Sequence, residues 1–185
     1  MKQLIAKSSL LTLLASSVLF VHSTAIAVDV KLTDYLAYLD VNHAGDQVRV
    51  QRIQDEENML NDGFAKTSRK CPPFCIQPMK VAPGVATVGE AEIFRFMDRE
   101  LASGNGLIVD ARTPSWYKKG TIPGSVSIPW TKLNPAKGAD PLTMGDIMEG
   151  QFNAKQQEGI WDFSKAKTLV LFCNGMWCGQ SPNNI

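Results

Sequence analysis

Two cysteines on one short segment, Cys173 and Cys178, carry the clearest chemical potential in this chain. Thr168-Leu-Val-Leu-Phe172 leads into Cys173 with strand-favouring, mostly apolar residues, and Asn174-Gly175-Met176-Trp177-Cys178-Gly179 after it can only be a turn. Ser181-Pro182 then reads as a helix start, with Ser181 as N-cap and Pro182 at the first helical position. A cysteine between a strand end and a helix N-terminus sits where backbone N–H groups converge, and that environment favours an anion. It should lower the thiol pKa; a fall from about 8.5 to about 7 would raise the thiolate share at neutral pH from a few per cent to about half. The chemistry on offer is nucleophilic attack by sulfur. The plainer alternative is a small buried cysteine ending a core strand; the loop and the helix start weigh against it.

Other reactive side chains are few. Asp110 and Arg112 end a short apolar run, Leu107-Ile-Val-Asp110, and are expected to support the site by pairing with each other or with backbone. His22 and His43 lie outside the stretch that holds Cys173, so thiol activation must come from the loop itself. Cys71 and Cys75 flank Pro72-Pro-Phe74; two thiols are an incomplete zinc set, and the spacing does not suit c-type haem. A local disulfide, or pairing with the loop cysteines, is the simpler reading than copper binding or redox exchange. No cofactor or metal is called for. Trp116 reads as a core or rim aromatic, whereas Trp177, in a tight loop beside a nucleophile, should wall the pocket. Cys178 reads either as a thiol that resolves an adduct on Cys173 or as a small packing residue.

The elements that must position these residues begin after a leader. Lys2 and Lys7, an apolar run over residues 10–21, and Ala25-Ile-Ala27 form a secretory signal peptide over 1–27, too short in its apolar run to span a membrane. An uncleaved membrane anchor is the alternative. Cleavage removes two of the 19 basic residues and none of the 18 acidic ones, so no basic excess points to nucleic acid. No later segment is apolar enough to cross a membrane. The destination is periplasmic or secreted, an oxidising setting for four cysteines.

Residues 28–83 read as an irregular N-terminal extension with weak internal order. Leu32, Leu36 and Leu39, with Tyr35, suggest a short helix, and Val48, Val50 and Ile53 a short strand. From residue 84 to 185 an α/β rhythm predicts one domain. A helix over 90–102 carries Ile93, Phe94, Met97 and Leu101 on one face, and strands follow at 107–110, 126–128 and 168–173. A helical turn at 116–120 and a helix over 144–157 fill the connections, with residues 160–164 packing down before the last strand. Helices alternating with short apolar strands predict a parallel sheet covered on both faces, its site beyond the strands' carboxyl ends. Asp110, Arg112 and Cys173 should therefore share one edge.

Two segments together resemble the rhodanese family. Asp110-Ala-Arg112, Trp116-Tyr117 and Gly120-Thr-Ile-Pro-Gly124-Ser125 are similar to that family's Asp-x-Arg, aromatic and Gly-His-Ile-Pro-Gly-Ala pattern, with Thr121 for His and Ser125 for Ala. Residues 169–181 resemble its strand, active-site cysteine and loop, placing Cys173 at the nucleophile position. The resemblance implies a rhodanese-like α/β domain in which the cysteine takes sulfur from a donor as a persulfide and passes it to a thiol or cyanide. Its partners would be a small sulfur donor or persulfide and a thiol acceptor, small or protein. The Cys173–Cys178 loop has the length of sulfurtransferases. Related phosphatases need a longer loop and a clamping arginine, where this chain has Gly179. The loop holds no Arg or Lys, which suits an organic persulfide or a protein partner better than a dianion. The family pattern continues past the helix that starts at Ser181, so the resemblance also implies a domain incomplete at its C-terminus. Two other readings stand beside it: a non-catalytic sulfur- or partner-binding module, and a thiol–disulfide protein using Cys173 and Cys178.

Overall fold

The computed structural model describes residues 30–63, 65 and 67–185, and residues 1–27, read from the sequence as a signal peptide, lie outside them. Strand β1 (Tyr38–His43) and strand β2 (Asp46–Gln51) form an antiparallel hairpin. Helix α1 (Glu90–Phe96) continues into a π-helical turn, Met97–Leu101, and together they occupy the stretch predicted as one helix. Strand β3 (Gly106–Asp110), helix α2 (Pro114–Lys119) and strand β4 (Ser125–Ser127) follow. Helix α3 (Pro141–Gly150), a second hairpin of β5 (Lys155–Gln157) and β6 (Ile160–Asp162), and strand β7 (Thr168–Phe172) lead to the loop.

The central sheet is the expected parallel one, in the order β4-β3-β7. All of β3 is buried, as its unbroken apolar run requires. Its side chains alternate between two cores. Ile108 packs on Phe94 and Met97 of the α1 layer. Leu107 and Val109 face Ile128, Phe152, Ile147 and Met148 on the α3 side. Helices therefore cover both faces. The β3–β7 register pairs Asp110 with Phe172, so the residues following each strand emerge side by side.

Three local expectations need correction. The helix through Leu32, Leu36 and Leu39 does not form. Leu39 and Val41 alternate with Asp40 and Asn42, a period of two that buries the apolar pair on one hairpin face. Ala44-Gly45 turns that hairpin with positive φ at both residues, 54° and 100°. The hairpin is ordered, and Leu32, Leu39 and Val41 share a core with Phe94, Met97 and Ile108. His43 Nδ1 accepts the Gly124 amide at 3.2 Å, and Arg52 makes two 2.9 Å bonds to the Glu90 carboxylate. Leu32 and the hairpin residues Leu39 and Val41, read from the sequence as part of a loosely ordered extension, thus contribute to the core.

The helix expected over 144–157 starts and stops earlier. Asp140 accepts the Thr143 amide at 2.9 Å and Pro141 opens the helix, which fixes its start. Past Gly150 the chain reverses at Asn153 and enters β5, which turns through Glu158-Gly159 into β6. Ile160 and Phe163 are exposed, so this segment does not pack down as expected.

If the first hairpin belongs to the core, Leu39→Ala and Met97→Ala should each lower global stability by about 2–5 kcal/mol. Urea unfolding followed by far-UV circular dichroism measures it. A hairpin folded separately would leave the main transition of Leu39→Ala in place.

Candidate active site

Strand β7 delivers Cys173 to the carboxyl edge of the sheet, where the Ala111 amide bonds the Phe172 carbonyl at 3.0 Å. The chain then turns sharply. Gly175 has φ +131°, a region that side-chain-bearing residues rarely adopt, and a Cβ there would lie 3.2 Å from the Trp177 ring. The Cys178 amide closes the turn onto the Gly175 carbonyl at 2.9 Å. Cys173 is half-buried inside it. Its Sγ lies 3.3 Å from the Cys178 carbonyl oxygen and 3.2 Å from Ser181 Oγ.

Ser181 does not cap a helix. Its backbone is itself helical, and its hydroxyl is directed at the cysteine instead. Pro182 opens only a short 3-10 turn, Pro182–Asn184.

These contacts set the thiol's charge. The Cys178 thiol hydrogen bond is the largest influence lowering the Cys173 pKa; burial opposes it, and the Ser181 hydroxyl and the Ser181 and Gly175 amides add to it. The outcome is a thiol held at about 5, a shift in the direction the sequence suggests. Cys178 moves the other way, pushed well above the usual thiol range by its bond to Cys173 and by burial. The two shifts run in opposite directions, and both favour Cys173 as the seat of the charge. The contact with the Cys178 carbonyl suits the thiol form, while the Ser181 hydroxyl can donate to the thiolate; the Cys178 thiol donates to Gln180 Oε1 at 3.6 Å.

Asp110 is fully buried at the end of β3, and Arg112 binds it through Nε at 2.8 Å and Nη2 at 2.6 Å. The Arg112 amide and the Thr121 hydroxyl also donate to this carboxylate, at 3.0 Å and 2.8 Å. Burial pushes the Asp110 carboxyl up, but these donors outweigh it and hold the pKa below the usual carboxylate range. The guanidinium reaches further, to the Gly120 carbonyl at 2.7 Å and to Asn174 Oδ1 at 3.2 Å. It thereby ties the Asp-x-Arg segment to the cysteine loop.

Around the loop, Met176 is exposed, whereas Trp177 and Cys178 are half-buried. The Arg69 guanidinium lies over the Trp177 ring at 4.5 Å, and the Gln77 amide donates to the Met176 carbonyl at 2.7 Å. Gly179 faces the Gln77 side chain. Trp116, partly exposed beneath Lys119 Nζ, lines a cleft of about 710 Å³ with Phe94, Met97, Arg112 and Phe172. Cys71 and Cys75 sit at bonding distance, Cα to Cα 4.6 Å. Among the described residues no three His, Cys, Asp or Glu side chains form a metal-binding group.

Residues 96–185 match the family model of the rhodanese-like domain. The chain carries a rhodanese-like domain. No curated protein and no solved structure matches it. A rhodanese-like domain is a sulfurtransferase-type or sulfur-binding module, and here its cysteine loop is built without a basic side chain of its own. The Ser181 hydroxyl lies 3.2 Å from the sulfur, and the neighbouring thiol and the loop amides lower its pKa.

Sequence reasoning brought Asp110, Arg112 and residues 173–179 to one edge, where the rhodanese-like fold places them. It missed Ser181 as a partner of Cys173, although a hydroxyl so near a reactive cysteine in sequence was a usable signal. It also missed Gln77 and Arg69, for which the sequence holds no signal. Gln77 acts through a backbone amide that almost any residue could supply.

Arg112→Gln should cost about 3–5 kcal/mol, because it strands a buried carboxylate. Asp110 titrates below an ordinary carboxyl in the fold. Its stabilising contribution is thus complete above about pH 4 and is lost as pH falls through its lowered folded pKa. Denaturant unfolding of both proteins across acid pH measures the two effects. For the thiol, the alkylation rate of Cys173 should be flat through neutral pH and fall with an inflection near 5. An inflection near the ordinary thiol value of about 8.5 would show that the loop does not ionise it.

Proposed function

We propose that this protein is an exported sulfurtransferase that carries sulfur as a persulfide on Cys173, working in the periplasm or outside the cell. The observation that carries the reading is the ring that the loop forms round Cys173 Sγ, closed by the Cys178 amide on the Gly175 carbonyl at 2.9 Å, with the Ser181 hydroxyl 3.2 Å from the sulfur. A thiolate fixed in such a ring is a ready nucleophile at neutral pH.

In the forward step the Cys173 thiolate attacks the sulfane sulfur of a donor. The donor's S–S bond breaks, its electron pair leaves with the departing thiolate or sulfite, and Cys173 bears a terminal S⁻. An acceptor thiolate or cyanide then attacks that terminal sulfur, and the Cys173 thiolate departs. No net oxidant or reductant is consumed, and the charge stays at one unit negative throughout. The same donors that hold the thiolate can follow the charge to the outer sulfur, which is electrostatic stabilisation without reorganisation.

Met176 and Trp177 give the loop an apolar outer wall, and the loop itself has no cation. That favours an organic persulfide, or a partner protein's persulfide, as donor over a small dianion. The cleft beside Phe172 offers space for an apolar body. In this reading Cys178 is a neighbour that helps to hold the charge on Cys173, and Cys71–Cys75 is a structural disulfide formed after export.

Cyanide-dependent thiocyanate release from a glutathione persulfide donor tests the assignment. Wild type should turn over and Cys173→Ser should not, with the fold unchanged by circular dichroism. Retained release by a folded Cys173→Ser protein would remove Cys173 from the reaction. Inactive wild type with an intact thiolate would leave the non-catalytic binding reading.

A further inference from the structure

The stretch between β2 and α1 carries no regular helix or strand among its described residues, yet it reaches the cysteine loop. The Gln77 amide donates to the Met176 carbonyl at 2.7 Å. The Gln77 side chain donates to the Cys75 carbonyl at 3.3 Å and lies against Gly179. At the other end of the same short segment, Arg69 covers the Trp177 ring at 4.5 Å. Between these two contacts, Cys71 and Cys75 close the chain on itself, and the Phe74 amide bonds the Lys70 carbonyl at 2.9 Å.

We propose that residues 69–77 are a positioning arm of the active site, and that the Cys71–Cys75 link, through Gln77, sets the reactivity of Cys173. The inference deepens the reading of Cys173 as the reactive thiol and rests on it. Two anchors hold the loop from opposite sides. Arg112 holds Asn174 from the sheet, and Gln77 holds the Met176 peptide from the arm. Met176 and Trp177 lie just before Cys178, whose carbonyl oxygen is 3.3 Å from Cys173 Sγ and whose thiol donates to Gln180 Oε1 at 3.6 Å. Freeing the Met176 peptide therefore frees Cys178, the neighbour with the largest influence on the Cys173 pKa.

The five residues from Cys71 to Cys75 form no strand or helix, and the cross-link limits their conformations together with Pro72, Pro73 and the Phe74-to-Lys70 backbone bond. Cleavage of the link is a two-electron step. A dithiol reductant supplies two electrons and two protons, the S–S bond opens to two thiols, and the reductant leaves as its own disulfide. The redox state of a cysteine pair outside the loop would then be read at Cys173 inside it. Gln77 and the Cys71–Cys75 pair are positioning residues; none needs to touch the transferred sulfur.

The test is the pH profile of Cys173 alkylation by iodoacetamide, followed by peptide mass mapping on the full chain. Wild type is compared with Cys71→Ser/Cys75→Ser, Gln77→Pro and Gln77→Ala. The first variant opens the link, and the second deletes the amide donor. Both should raise the inflection by more than about one pH unit, so that the thiolate fraction at about pH 6 falls at least about twofold. Gln77→Ala keeps the amide and should keep the wild-type inflection. If Gln77→Pro fails to fold, the double serine variant carries the test, because the hydrophobic core lies elsewhere. An unmoved inflection in the double serine variant overturns the proposal. Because this readout needs no sulfur donor, failure of thiocyanate release would count against the sulfurtransferase reading and not against the arm.

Discussion

One guanidinium holds the working edge of this domain together. Arg112 neutralises the buried Asp110 carboxylate at the end of β3, binds the Gly120 carbonyl, and reaches Asn174 in the loop after β7. Burying Asp110 without it would leave an uncompensated charge, which a protein interior penalises heavily. The arrangement follows from register. Because Asp110 pairs with Phe172, the residues two places further on, Arg112 and Asn174, emerge at the same level. A planar fork of donors can serve a carboxylate and two further acceptors at once, a task a lysine could not perform. Thr121 completes the set, its hydroxyl contacting both Asp110 and Ser125.

On that edge, the loop solves an electrostatic problem without histidine and without a basic residue of its own. Of two neighbouring thiols, one is favoured as the seat of negative charge and the other is not. The Ser181 hydroxyl and the loop amides favour Cys173 as its seat, and Cys178 keeps its proton as a consequence. The two shifts are thus one effect seen from both partners. A persulfide formed on Cys173 would carry the same charge one atom further out, within a donor set already arranged for it. The indole of Trp177 and the exposed Met176 give this site an apolar approach.

Much of this was legible in the residues. Unbroken apolar runs marked β3 and β7, and a helix-spaced face of Ile93, Phe94 and Met97 marked α1, because burial on both sides of a parallel sheet leaves that imprint. Asp110, Arg112 and Cys173 could be placed at strand ends, hence on one edge. What failed were positions where two periods compete. Leu32, Leu36 and Leu39 fit helical spacing, but Leu39 and Val41 obey a two-residue period, and the Ala44-Gly45 turn decides in favour of a hairpin. The start of α3 was hidden in Asp140-Pro141, a cap and first-turn pair that lies before its apolar stretch. Ser181 had the right chemistry for an N-cap and used it on the cysteine instead. Contacts between the Gln77 amide and the loop are long-range and made by backbone, so side-chain identity could not announce them.

The central claim is that Cys173, held as an anion by its loop, takes up sulfur. It is tested most directly by mass mapping of the cysteine-loop peptide after treatment with an organic persulfide. The account predicts a gain of about 32 Da, one sulfur atom, on Cys173, with Cys178 unmodified. A peptide with no added sulfur, or one carrying a Cys173–Cys178 disulfide about 2 Da lighter, would contradict it.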